Sequence, residues 1–223
     1  MYRRHFIAAA LLAATAGLSM AAGNAAGQAG PKSAPEKAMK TIVVLGDSLS
    51  AEYGLQRGSG WVALLEQQLK SEKIAARVMN ASISGDTTAG GLSRLPGLLV
   101  QHKPTLVIIE LGANDALRGL PLKITEENLG KMTRAAQAAG AKVLLVGMQV
   151  PPNYGADYSA RFAATYVTVA RAHKAGLVPF FLTGVADIAQ AEELFQADRV
   201  HPKAQAHPTL LANVWPELKK LLK

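Results

Sequence analysis

The order of apolar segments predicts an α/β fold, a parallel sheet covered by helices on both faces. Three observations carry that expectation. Short apolar runs alternate with amphipathic helical stretches, the succession of βαβ units. The runs at 41–45 and 105–111 are near-continuously apolar rather than alternating, as befits strands buried on both faces. Both stop at a glycine and a polar cluster, Gly46-Asp47-Ser48 and Gly112-Ala113-Asn114-Asp115, at the strand ends where open α/β sheets place ligands.

Taken in order, the first strand hands Ser48 to solvent. Trp61, Leu64, Leu65 and Leu69 then recur at helical spacing. A second strand spans 77–81, and a polar turn at 82–88 leads into a helix over 89–100. After the third strand, Thr125 is the expected N-cap of a helix that carries Leu129, Met132 and Ala136 on one face and stops at Gly140. The fourth strand spans 142–148, and a Pro-rich loop at 151–155 precedes a helix over 158–174. A short strand at 177–181 contains Pro179 and suits a sheet edge. The last helix aligns Leu210, Leu211, Val214, Leu218 and Leu221, with a kink or break expected at Pro216.

Residues 1–26 read as a signal peptide: Arg3-Arg4, an apolar run over 6–18, then small residues. Cleavage after Ala25 or Ala26 is favoured over Ala21, and the Sec route over the twin-arginine route; a retained anchor is the alternative reading. Residues 27–39 read as a flexible lead-in and 40–223 as one domain, which at this size buries roughly 70% of its unfolded surface. No membrane-embedded segment is expected, and the exported product is expected to be periplasmic and monomeric.

The net charge of +8 falls to +6 once Arg3 and Arg4 leave, since the leader carries no acid. The basic residues are scattered, so the expectation is a soluble basic surface and no nucleic-acid partner. The absence of cysteine excludes disulfides, thiolate nucleophiles and Cys-ligated metals, and five histidines with scattered carboxylates predict no metal and no cofactor. Gly85 to Gly90 has P-loop glycine spacing, but Gly91-Leu92 stands where Lys-Ser/Thr is required. No Gly-x-Ser-x-Gly elbow occurs.

In a parallel sheet, the loops after strands one, two and three emerge at one edge, which gathers Ser48, Gly85 and Asn114. Acyl transfer needs a nucleophile, a base, a group that orients the base, and donors for the oxyanion. Ser48 supplies the first, although a helix N-cap is its bland alternative. Among the histidines, His5 leaves with the leader, and His102 and His173 sit at helix ends. His201 and His207 both precede proline, but only His201 has a carboxylate three residues earlier, Asp198. His201 is therefore the candidate base. Asp47 and Asp115 are read as structural.

Gly46-Asp47-Ser48-Leu49-Ser50, Gly85, Gly112-Ala113-Asn114-Asp115 and Asp198-Arg199-Val200-His201-Pro202 resemble, in order and spacing, the blocks of the SGNH (GDSL) hydrolase family. The likeness extends to its bacterial periplasmic thioesterase/lysophospholipase/arylesterase branch through the 80–87 segment, Leu95-Pro96, Leu117-Arg118-Gly119 and Pro152-Asn153-Tyr154-Gly155. The resemblance implies a three-layer α/β/α, flavodoxin-like, mostly parallel sheet. It also implies a Ser48, Asp198, His201 triad and an oxyanion hole built from the Ser48 and Gly85 N–H groups and the Asn114 side chain. The expected activity is hydrolysis of small-molecule acyl esters or thioesters through an acyl-enzyme, with 117–124 and 150–157 as specificity loops. A catalytically silent binding module on the same fold is the alternative. Ala113 and Arg199 depart from the branch pattern, and Arg199 is expected to point outward.

Overall fold

The computed structural model describes residues 39–223, so the leader and all of the lead-in except Met39 lie outside the described residues. Five strands form one parallel sheet: β1 (Lys40–Gly46), β2 (Ala76–Asn80), β3 (Leu106–Glu110), β4 (Lys142–Val146) and β5 (Gly176–Val178), in the order β2-β1-β3-β4-β5. The order reverses at β1, so the crevice at the C-terminal ends of β1 and β3 is the topological switch point, where doubly wound sheets bind ligands. The short fifth strand lies at an edge, but it ends at Val178, so Pro179, expected within it, follows the strand instead.

The helices are α1 (Trp61–Ser71), α2 (Thr88–His102), α3 (Ala113–Leu117), α4 (Leu122–Ala138), α5 (Ala156–His173), α6 (Ala191–Leu194) and α7 (His207–Leu221). Packing of α2 on α4 and α4 on α5 makes one outer layer, and α1 packs with α7 in the other. Ile42 to Leu45, Val107 to Ile109 and Leu144 to Val146 are fully buried between them, which is why these strands read as continuous apolar runs. No helix among the described residues is long and apolar enough to cross a membrane.

Four expectations are corrected. Helix α4 begins at Leu122, with Pro121 as N-cap, and not near Thr125. Thr125 is fully buried inside the helix, its hydroxyl donating to Asp115 at 3.4 Å, so a tertiary contact took the residue that local propensity assigned to the cap. The 113–117 segment forms the short helix α3, entered through Gly112 at φ +122°, where a loop was expected after the third strand. Because α3 and α4 absorb both ends of 117–124, the loop there shrinks to 118–121; likewise 150–157 contains a single 3-10 turn at Pro152–Tyr154 and the start of α5. Helix α7 runs unbroken through Pro216. The carbonyl that Pro216 leaves without its helical donor belongs to Ala212, an exposed residue, while Leu210, Val214 and Leu218 hold the buried face in the core.

Candidate active site

Ser48 owes its position to an immediate turn after β1. The Asp47 side chain accepts the Leu49 N–H at 3.0 Å, and its carbonyl accepts the N–H groups of Ser50 and Ala51 at 3.3 and 3.0 Å. This reversal leaves Ser48 half-buried at the sheet edge, and no α-helix follows for it to cap. Asn80, at the end of β2, donates to the Ser50 carbonyl at 2.8 Å and ties the turn to the neighbouring strand.

Gly85 is brought alongside by the same edge. The Ala81 and Ile83 N–H groups donate to Val44 and Gly46 at 2.9 and 3.1 Å. Arg94 clamps the loop, reaching Asp86 at 2.6 and 3.1 Å and the Ala81 carbonyl at 2.7 Å. Arg118 donates to the Gly85 carbonyl at 2.7 Å, so this carbonyl is occupied while the N–H is not. Among the described residues, no group accepts the backbone N–H of Ser48 or of Gly85. Asn114, on α3, donates one amide hydrogen to Asp47 Oδ2 at 3.0 Å, which leaves the second free.

The remaining two residues arrive from the far end of the chain. Asp198 Oδ1 accepts the Val200 and His201 N–H groups at 3.0 and 3.1 Å, and Oδ2 meets His201 Nδ1 at 2.7 Å. Those backbone N–H bonds, Val200 first, hold the Asp198 pKa down to about 2. An ionised carboxylate only accepts, so the proton of a neutral imidazole sits on Nδ1, and Nε2 accepts the Ser48 O–H at 2.8 Å. The Tyr53 ring lies 4.3 Å from the imidazole, centroid to centroid. Gln196 fixes the approach: its side-chain amide donates to the Tyr53 and Pro202 carbonyls at 2.9 and 3.2 Å, its N–H donates to the His201 carbonyl at 2.8 Å, and its carbonyl accepts the Arg199 N–H at 2.9 Å.

Arg199 points outward, its guanidinium 3.7 Å from Glu192 with both side chains exposed. His207, the other histidine that precedes proline, is buried: its Nδ1 accepts the Trp61 N–H at 3.0 Å, and burial lowers its pKa. Asp115 is structural but not confined to its own loop, since it accepts the Thr88 N–H at 2.8 Å, the Thr88 hydroxyl and the Thr125 hydroxyl. Burial raises the Asp47 pKa to about 6, against the lowering effects of the Leu49 N–H, the His201 charge and the Asn114 amide. Among the described residues no group of three His, Asp or Glu side chains could hold a metal ion.

Sequence reasoning missed four residues that build this site: Asn80, Tyr53, Gln196 and Glu110. Two of them left a visible signal: Asn80 opens the 80–87 segment, and Glu110 is a single acid in the most apolar strand, fully buried beneath Ser50 and Asp47.

The model of the GDSL-like Lipase/Acylhydrolase family matches residues 44–208, the span from the end of β1 to the start of α7. Esterase TesA of Pseudomonas aeruginosa is 53% identical over 187 residues, covering 84% of this chain and 92% of that protein. Thioesterase 1/protease 1/lysophospholipase L1 of Escherichia coli is 41% identical over 171 residues, covering 77% and 79%. The psychrotrophic esterase EstA of Pseudoalteromonas, solved in a form inhibited by monoethylphosphonate, superposes with a TM-score of 0.77 at 42% identity, covering 82% and 98%. The strand order, the site at its switch point and these likenesses agree, and the chain belongs to the GDSL-like lipase/acylhydrolase family.

Proposed function

We propose that this chain is a serine hydrolase that cleaves carboxylic esters and acyl thioesters through an acyl-enzyme on Ser48. The observation that carries the reading is the unbroken relay Ser48 Oγ to His201 Nε2 at 2.8 Å and His201 Nδ1 to Asp198 at 2.7 Å. His201 takes the hydroxyl proton as Oγ attacks the acyl carbonyl, and Asp198 stabilises the imidazolium that forms. The Ser48 and Gly85 N–H groups and the free amide hydrogen of Asn114 receive the oxyanion, each worth about 2.7–4 kcal/mol of transition-state stabilisation. Collapse expels the alcohol or thiol, which takes the proton from His201. Water, deprotonated by the same imidazole, then attacks the acyl-Ser48 ester and releases the acid.

Each of the four segments that bear a site residue, three loops and α3, also exposes one large apolar side chain: Tyr53, Ile83, Leu117 and Val200 are 45–51% exposed. That rim supports an acyl or aryl substrate. The relatives named esterase and thioesterase support both leaving groups. The nucleophile, base, orienting acid and oxyanion donors all come from one chain, so a monomer suffices. Export to the periplasm belongs to the same reading and rests on the leader motif of residues 1–26.

The test is covalent labelling by a fluorophosphonate combined with hydrolysis of p-nitrophenyl esters of increasing chain length. The expected result is stoichiometric label on Ser48, lost in Ser48→Ala together with esterase activity. An unlabelled folded protein would establish the silent binding module in its place.

A further inference from the structure

We infer that Glu110 is a positioning residue for the acyl transfer, gripping from beneath the turn that presents Ser48. The inference rests on Ser48 being the nucleophile. Glu110 is the last residue of β3 and pairs in register with Gly46, the last residue of β1. Its side chain is fully buried in a strand that is otherwise apolar. One oxygen, Oε2, accepts the Ser50 hydroxyl at 2.8 Å and the Asp47 N–H at 3.3 Å. Those residues lie one before and two after Ser48, so the carboxyl spans the turn on both sides of the nucleophile.

Two further contacts make this a built arrangement. Trp61 Nε1–H donates to Ser50 Oγ at 3.1 Å, which commits the Ser50 proton to Glu110 and extends the chain of hydrogen bonds to α1. At Gly46, a Cβ would stand 2.8 Å from Glu110 Oε2 and from Ser50 Oγ. The carboxyl fills the space that any larger residue at 46 would need, which ties the glycine of the Gly46-Asp47-Ser48 motif to the acid on the next strand.

The protonation state follows from the surroundings. Burial first, then the facing Asp47 carboxylate, push the Glu110 pKa well above the usual carboxylate range. The other ionisable group against it is the buried Tyr166, whose own pKa burial raises, and no cation among the described residues bonds to either Glu110 oxygen. The raised pKa favours the protonated form, and Oε1, which has no hydrogen-bond partner among the described residues, is the oxygen open to the proton, leaving Oε2 as the acceptor for both donors. A neutral acid here supplies a fixed acceptor without placing a second negative charge beside Asp47, and glutamine is its near-isostere.

The experiment compares the rate of fluorophosphonate labelling, kcat and KM for p-nitrophenyl butyrate, and the pH–rate profile in wild type, Glu110→Met, Glu110→Gln and Ser50→Ala. Glu110→Met and Ser50→Ala are expected to slow labelling and kcat about 10–100-fold with KM changed less than about twofold, because a misplaced nucleophile costs rate rather than binding. Glu110→Gln is expected to restore the rate to within about threefold of wild type with both limbs of the pH profile unmoved, because the amide keeps an oxygen to accept from Ser50 and Asp47. Folded Glu110→Met labelling at the wild-type rate, or Glu110→Gln as slow as Glu110→Met, would overturn the inference. If Glu110→Met does not fold, Ser50→Ala decides: a wild-type labelling rate overturns the inference and a slow one supports it. Failure of the wild type to label would instead remove the nucleophile reading on which all of this rests.

Discussion

Replacing Asp198 by asparagine separates the two tasks of that carboxylate. Its Oδ1 holds the 198–201 turn through the Val200 and His201 N–H groups at 3.0 and 3.1 Å, and its Oδ2 orients the imidazole at 2.7 Å. An asparagine keeps an oxygen for the first task and puts an N–H₂ where the second is done. That donor forces Nδ1 to accept, so the imidazole proton moves to Nε2. There, 2.8 Å from Ser48 Oγ, it blocks the transfer on which attack depends. A wrong tautomer in this kind of relay costs about 10⁴ in kcat. Asp198 is 39% exposed here, so water competes for the carboxylate's place and relaxes the constraint on the ring. The expected loss is therefore about 10²–10⁴ in kcat, or roughly 2.7–5.5 kcal/mol of activation free energy, with KM little changed. Stability should fall by less than about 1 kcal/mol, because the two backbone bonds persist. Steady-state hydrolysis of p-nitrophenyl acetate and urea unfolding of the same sample read both quantities. A folded Asp198→Asn enzyme within fivefold of wild-type kcat would show that this carboxylate does not set the tautomer.

Asn114→Ala removes one oxyanion donor and should lower kcat about 10²–10³-fold; steady-state rates within threefold of wild type would exclude Asn114 from the oxyanion hole. Arg199→Gly should leave kcat within about twofold and leave stability equal or up to about 1 kcal/mol higher, because Arg199 sits at φ +58° and its ion pair with Glu192 is exposed. A large gain in kcat would mean that the guanidinium restrains Asp198. Gly112→Ala meets both the φ of +122° and the Tyr166 hydroxyl, 2.3 Å from the new Cβ. Backbone strain and loss of the Tyr166 bond to the Leu111 carbonyl should together cost about 2–6 kcal/mol. Adding Tyr166→Phe, which leaves the ring carbon at 3.3 Å, should recover part of that loss in urea midpoints; no recovery would place the damage elsewhere. For Asp47 the folded pKa of about 6 exceeds the unfolded 3.8, so the native state binds its proton more tightly. Its stabilisation is present below the unfolded value and is lost as pH rises through about 6. Asp47→Asn should flatten the fall in urea midpoint across that window, and an unchanged slope would contradict the assignment.

The strands and the site loops were legible because each left a local mark. Continuous apolar runs announced burial on both faces, and Gly46, Gly112 and the Asp198-to-His201 spacing are local features of single loops. Where contacts from distant elements decide, local reading failed. Thr125 looked like a helix cap until Asp115 claimed its hydroxyl, and Pro216 looked like a break although α7 continues through it. Asn80 was legible only as the first residue of the 80–87 segment and Gln196 carries no motif; their roles exist only because the Ser48 turn and the His201 loop fold against them.

From its sequence alone, the chain determined the α/β class, the ligand edge and the candidate nucleophile, base and orienting acid, because periodicity, turn glycines and short spacings are properties of neighbouring residues. Only the tertiary structure decided which histidine faces Ser48 and which is buried against Trp61, that Arg199 turns away, that Asn114 shares its amide with Asp47, and that Glu110 sits under the nucleophile's turn. Apart from the orientation of Arg199, those outcomes depend on contacts across 60 to 153 residues of chain, set by strand register and packing rather than by local preference.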